Sequence, residues 1–195
     1  GIRSISQLNW LSRSLSIRRV QVVYRQSRKL NTFAGELLKL QEGDLTSLGK
    51  LPEESSHNGV DPVLCEHLSE EEAARWIAER IKEVEKSVQQ LPTIAVLVNS
   101  EQDVKPTAER LGRYLEEVNL NAVACEEGRA LGEGTDVRVF DIQHIKGLEF
   151  EAVFFAGIDR LAEQSPDLFD RYLYVGATRA ATYLGLVNHS ALPAK

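Results

Sequence analysis

The chain has 195 residues, 43% hydrophobic and 27% charged, with a net charge of −6, which is ordinary for a soluble globular protein of one domain or slightly more. Nothing approaches the roughly eighteen consecutive apolar residues of a membrane helix, and the N-terminal GIRSISQLNWLSRSLSIRR has neither an apolar h-region nor a cleavage pattern. Two cysteines, Cys65 and Cys125, are too few for a disulfide framework or a cysteine metal site; they read as small buried hydrophobes in a reducing, cytoplasmic compartment. The charge is uneven. Residues 1–35 carry seven basic side chains and no acid, leaving 16 basic residues to face all 29 acids. A basic segment on an acidic body marks a polyanion site, a solvated face or a contact with an acidic neighbouring domain.

Residues 1–17 show no firm element. Arg19–Val23 reads as a short strand. Arg28–Leu40 places Leu30, Phe33, Leu37, Leu38 and Leu40 at near-helical spacing, with Ser27 as N-cap. Residues 41–60 read as a loop on their Gly, Pro, Ser and Asn content, and Pro62–Leu68 as a second strand. Ser69 with Glu72 forms a capping box that opens a helix to about residue 88, with Ala73, Ile77, Ile81 and Val84 inward. Thr93–Val98 is a continuous apolar run, as in a strand covered on both faces. A helix over Asp103–Val118 follows, then a strand at Asn121–Cys125 and a glycine-containing loop at Glu126–Thr135. Strands are expected at Val137–Ile142 and Ala152–Ala156, a helix at Asp167–Ala180 and a last strand at Thr182–Val187.

Alternating strands and helices imply an α/β fold with a mostly parallel sheet and helices on both faces. In such sheets ligands gather at the carboxyl ends of strands, so the polar turn 143–149, Asn99-Ser100 and Tyr24-Arg25 are all expected on that edge. Three patches need a shared explanation: Tyr24-Arg25-Gln26-Ser27, the turn 143–149 and the stretch Tyr172–Ala180. Each holds a cation, and two pair arginine with an aromatic ring. An arginine fork suits phosphate, a ring suits a base and a carboxylate such as Glu149 suits a ribose hydroxyl, so together they fit a nucleoside triphosphate. There is no G-x-x-x-x-G-K-[ST] loop, no nucleophile elbow, no His and Cys cluster at metal spacing and no obvious strand-terminal acid pair for Mg2+. The chain supplies part of a nucleotide site.

HIKGLEFEAVFF resembles motif V of the UvrD/Rep-type superfamily 1 DNA helicases, and RYLYVGATRAATYLGLV resembles their motif VI. VVYRQSRKLNTFAGELL resembles motif IV and TIAVLVNS the strand called motif IVa. The resemblance spans about residues 19–188 and implies a RecA-like domain 2A over 19–195, with 1–18 continuing from an upstream 1A domain that is absent. No 2B insertion precedes motif V. By this resemblance Tyr24 stacks on the adenine of ATP, Arg25 and Arg179 reach the γ-phosphate (Arg179 as the finger) and Glu149 bonds the ribose. Gly147 shapes the motif V turn with Lys146. Gln143, His144, Lys146 and Asn99 face single-stranded DNA, and Mg2+ belongs to the absent 1A domain. Counting back from Lys146-Gly147, Gln143 stands at the motif's His position and Asp141 at its Thr position, with His144 one residue along. The implied function is the C-terminal motor half of an ATP-dependent helicase or translocase, inactive alone. The alternative is a non-enzymatic module that binds nucleic acid or protein.

Overall fold

A computed structural model describes residues 26–41, 50–87, 91–145 and 147–191. Six strands, β1 Val63–Cys65, β2 Ile94–Val98, β3 Ala122–Ala124, β4 Val137–Asp141, β5 Phe150–Ala156 and β6 Ala180–Val187, form one sheet in the order β1-β6-β5-β2-β4-β3. All five pairings are parallel, as the strand–helix alternation implied. Helices α1 Arg28–Lys39, α2 Glu70–Ser87, α3 Glu101–Leu115, α4 Ile158–Gln164 and α5 Phe169–Arg179 cover it.

The alternation of side chains along each strand divides the core. Ala95, Leu97, Val153, Phe155, Leu184 and Leu186 pack against α1, α4 and α5. Ile94, Val96, Val98, Ala152 and Phe154 pack against α2 and α3. Every residue of β2 is buried, which explains why its sequence is unbroken aliphatic rather than alternating. Phe154 anchors the second layer, with Trp76 edge-on at 6.2 Å and Tyr183 at 5.4 Å. Trp76 is thus a packing residue.

Local chemistry sets the element ends. Ser69 and Glu72 form the expected capping box: the Glu72 carboxylate accepts the Ser69 amide at 2.9 Å, and Ser69 Oγ accepts the Glu72 amide at 3.3 Å. The Ser69 hydroxyl, which donates to the Glu72 carboxylate at 2.7 Å, and then the Ser69 amide hold that carboxyl below its ordinary value. Ser27 behaves otherwise. It precedes α1, but its hydroxyl makes no capping bond and is buried without a partner among the described residues, while its amide donates to Ala181 O at 2.8 Å. The strand expected at Pro62–Leu68 shrinks to three residues at the sheet edge, where Cys65 is half-buried; Cys125 is buried as expected. A short helix, α4, was not legible in the sequence. It starts after Gly157, whose φ of +73° turns the chain, and is pinned by Asp159. Burial alone would raise the Asp159 carboxyl, but the His189 and Ser190 amides and the Ser190 hydroxyl donate to it and bring it below its usual value. The strand expected at Arg19–Val23 lies outside the described residues.

One connection decides where functional residues fall. β4 and β5 both lie beside β2 and run parallel to it. The chain therefore leaves β4 at the carboxyl edge of the sheet and must enter β5 at the amino edge, within residues 142–149. Eight residues can reach at most about 27 Å, and a five-residue strand takes about 17 Å. That leaves space for the 3-10 turn Ile142–His144 and a turn closed by the Leu148 amide on Ile145 O at 3.1 Å, but for no crossover helix. Ile142 and Ile145 are buried and fasten the crossing to the α1/α5 face. The expectation that 143–149 lies wholly at the carboxyl edge is corrected: only its head does, because parallel pairing pulls its tail to the other edge.

Urea denaturation should separate core from cap. Phe154→Ala should cost about 3–5 kcal/mol, and Ser69→Ala about 1 kcal/mol. A Ser69→Ala loss matching that of Phe154→Ala would contradict this ranking.

Candidate functional site

Residues just before β5 and β6 lie at the amino edge. Glu149 precedes Phe150, and Arg179 ends α5 immediately before Ala180. Together with Gln26, Pro52, Thr178, Ala180 and Ala181 they line one shallow pocket. Two residues distant in sequence, both picked out by chemistry, thus share a cleft.

The Arg179 guanidinium is half-buried and rests on main chain. Nη1 donates to Leu148 O at 3.1 Å and Nε to Val175 O at 3.4 Å, while Nη2 lies 3.4 Å from Thr178 Oγ1. Burial pulls its pKa down, and the nearby Glu149 charge opposes that. Among the described residues no carboxylate forms an ion pair with it. The cation is held in place but not neutralised by contact.

Gln26 builds the rear of this cleft. Its side chain is buried, and Nε2 donates to Ala177 O at 2.9 Å and Ala180 O at 2.8 Å. Ala177 O also accepts the Ala180 amide, so Gln26 adds a second donor where α5 passes into β6, beside Arg179. Its backbone bonds Glu53 and Ser55, and Asn31 Nδ2 reaches Pro52 O at 2.8 Å, bringing the loop 50–55 over the site. The sequence showed Gln26 within a polar patch but gave it no role. Its carbonyl partners lie some 150 positions away, so nothing local signals them. Tyr24, Arg25 and Lys146 lie outside the described residues.

Gly147 has a φ of +83°, and a Cβ there would meet nothing within 4 Å. Its need for glycine is conformational rather than steric. At the carboxyl edge, Gln143 and His144 are exposed beyond β4. His144 Nδ1 lies 3.1 Å from Glu101 Oε2 at the start of α3. Asp141, which ends β4, is buried and accepts the Gln143 amide at 2.9 Å. Asn99 follows β2 on the same edge, but its Nδ2 is spent on Gly157 O. It lines a separate pocket with Glu70, Arg110, Arg160 and His189, where Glu70 pairs with both arginines. The structure therefore joins Glu149 with Arg179 on one edge, and sets Gln143, His144 and Asn99 on the other.

Residues 136–187 match the family model described as the UvrD-like helicase C-terminal domain. That stretch is UvrD-like. It contains HIKGLEFEAVFF and RYLYVGATRAATYLGLV, so the resemblance carried by those two motifs is borne out. The UvrD-like match does not extend to the segments around Gln26 and Asn99. The crystal structure of the C-terminal domain of a possible DNA helicase from Lactobacillus plantarum WCFS1 is similar, at 21% identity and a TM-score of 0.59, over 88% of this chain and 90% of that one. The shared fold is the expected RecA-like α/β type. The complex structure of Arterivirus nonstructural protein 10 (helicase) with DNA is also similar, at 12% identity and a TM-score of 0.42 over 74% of this chain and 36% of that one, too slight a likeness to argue from. No curated protein matches the sequence. Among the described residues no helix is long and apolar enough to cross a membrane.

Gln26→Met keeps the bulk and removes both donors. It should lower stability by about 1–3 kcal/mol, because two carbonyls each lose a buried donor, Ala177 O keeping the Ala180 amide. A urea midpoint equal to that of the unsubstituted chain would show that these donors contribute nothing.

Proposed function

We propose that this chain is the second motor half, domain 2A over residues 19–195, of an ATP-dependent DNA helicase or translocase. The observation that carries the reading is the amino-edge cleft, in which Arg179, without an ion-pair partner among the described residues, stands with Glu149 beside the UvrD-like β5 and β6. A half-buried guanidinium without a carboxylate partner suits a phosphate, and an exposed carboxylate next to it suits a sugar hydroxyl.

In this reading ATP supplies the phosphoanhydride whose cleavage drives motion, and its phosphate loop and Mg2+ ligands come from an upstream 1A domain. Arg179 and Arg25 orient the terminal phosphate and offset the charge that develops on it. Glu149 holds the ribose and Tyr24 covers the adenine. Gly147 and Lys146 carry the crossing segment. Its head, Gln143 and His144, contacts single-stranded DNA together with Asn99.

The isolated chain should turn over no ATP, and measurable hydrolysis by it would contradict a split site. In the protein that joins this chain to a phosphate-loop domain, Arg179→Ala should lower kcat by about 10³-fold or more while nucleotide affinity changes only a few-fold. Retained turnover would remove Arg179 from the finger role.

A further inference from the structure

The carboxyl edge carries a second cluster, from which the helicase reading uses His144 alone. Glu101 is the first residue of α3, Asp141 the last of β4, and His144 closes the 3-10 turn that begins the crossing. One ligand atom from each lies within 4.8 Å of the other two. We infer that Glu101, Asp141 and His144 bind one divalent transition-metal ion of the Zn2+ or Mn2+ class, tying α3 to the head of the crossing segment. The site stands whether or not the motor reading holds.

Geometry is the first support. Ligands about 2.0–2.2 Å from a metal sit about 3.0–3.5 Å from one another. Glu101 Oε2 and His144 Nδ1 already stand at 3.1 Å.

Ligand orientation is the second. Glu101 Oε1 accepts the Glu127 amide at 2.8 Å, and Asp141 Oδ1 accepts the Gln143 amide at 2.9 Å. Each carboxylate is aimed by one backbone donor through one oxygen, as outer partners aim metal ligands. The other Asp141 oxygen takes no hydrogen bond among the described residues.

Charge is the third. Asp141 is only 3% exposed. Asp103 bonds Ser100 Oγ at 2.8 Å. Three carboxylates stand near one imidazole there, and a dication would offset most of that negative charge. One imidazole nitrogen with two carboxylate oxygens is a borderline set, which favours Zn2+, Mn2+ or Co2+ over Mg2+ or Ca2+. No sequence spacing points to it, since Glu101 comes from forty residues upstream and no motif contains it.

The test is Co2+ titration of the chelator-stripped chain, followed by visible absorption, with Zn2+ competing. One site should fill, with d–d bands that Zn2+ abolishes, and Zn2+ should raise the melting temperature. Glu101→Gln and His144→Ala, both at partly exposed positions, should each weaken Co2+ binding at least about tenfold. Cys65→Ser and His57→Ala should leave it unchanged. The proposal fails if Co2+ gives no d–d bands. It also fails if both cluster variants bind as the unsubstituted chain does, or if binding is lost with Cys65→Ser or His57→Ala instead.

Discussion

Parallel pairing on both flanks of β2 governs the layout of this protein. Because β4 and β5 point the same way with one strand between them, residues 142–149 must carry the chain from one edge of the sheet to the other. A crossover helix would need a dozen residues or more, and only eight are available. The segment therefore crosses by tight turns alone, stitched down by Ile142 and Ile145. Its two ends belong to different surfaces. Gln143 and His144 remain with the strand they follow, and Glu149 is delivered to the strand it precedes.

That constraint also assembles the amino-edge cleft. Arg179 reaches it because α5 runs directly into β6 without a loop. Gln26 holds the junction by donating to Ala177 O of α5 and Ala180 O of β6, and the adjoining Ser27 amide bonds Ala181 O. Segments far apart in sequence thus meet through hydrogen bonds to main-chain carbonyls. The packing beneath is equally tight: a Cβ on Gly176 would come within 3.1 Å of the Phe155 ring, so α5 lies close on the sheet. Arg179 is positioned by a rigid element rather than by a loop.

Much of the fold was legible because the period of the apolar pattern changes cleanly from strand to helix. The all-buried β2 and the capping box at Ser69 were read directly from sequence, as was the pairing of Glu149 with Arg179 in one nucleotide reading. Edge assignment was not legible. A rule that places ligands at carboxyl ends speaks of residues that follow a strand, and Glu149 and Arg179 precede theirs. The seven-residue α4 was hidden because its stability comes from Asp159 and the tail at 189–190, contacts thirty positions apart. Gln26 and Glu101 were missed for the same reason, since their partners come from other elements.

In the proposed function the nucleotide and nucleic-acid surfaces lie on opposite edges, joined by the crossing 142–149. Amide chemical-shift mapping of the labelled chain tests it most directly, with an oligothymidylate and a non-hydrolysable ATP analogue titrated separately. The account predicts that the oligonucleotide moves the signals of Asn99, Gln143 and His144. The nucleotide should instead move those of Gln26, Glu149, Thr178 and Arg179. A single set of residues responding to both ligands, or nucleotide shifts centred on the Gln143–His144 edge, would contradict it.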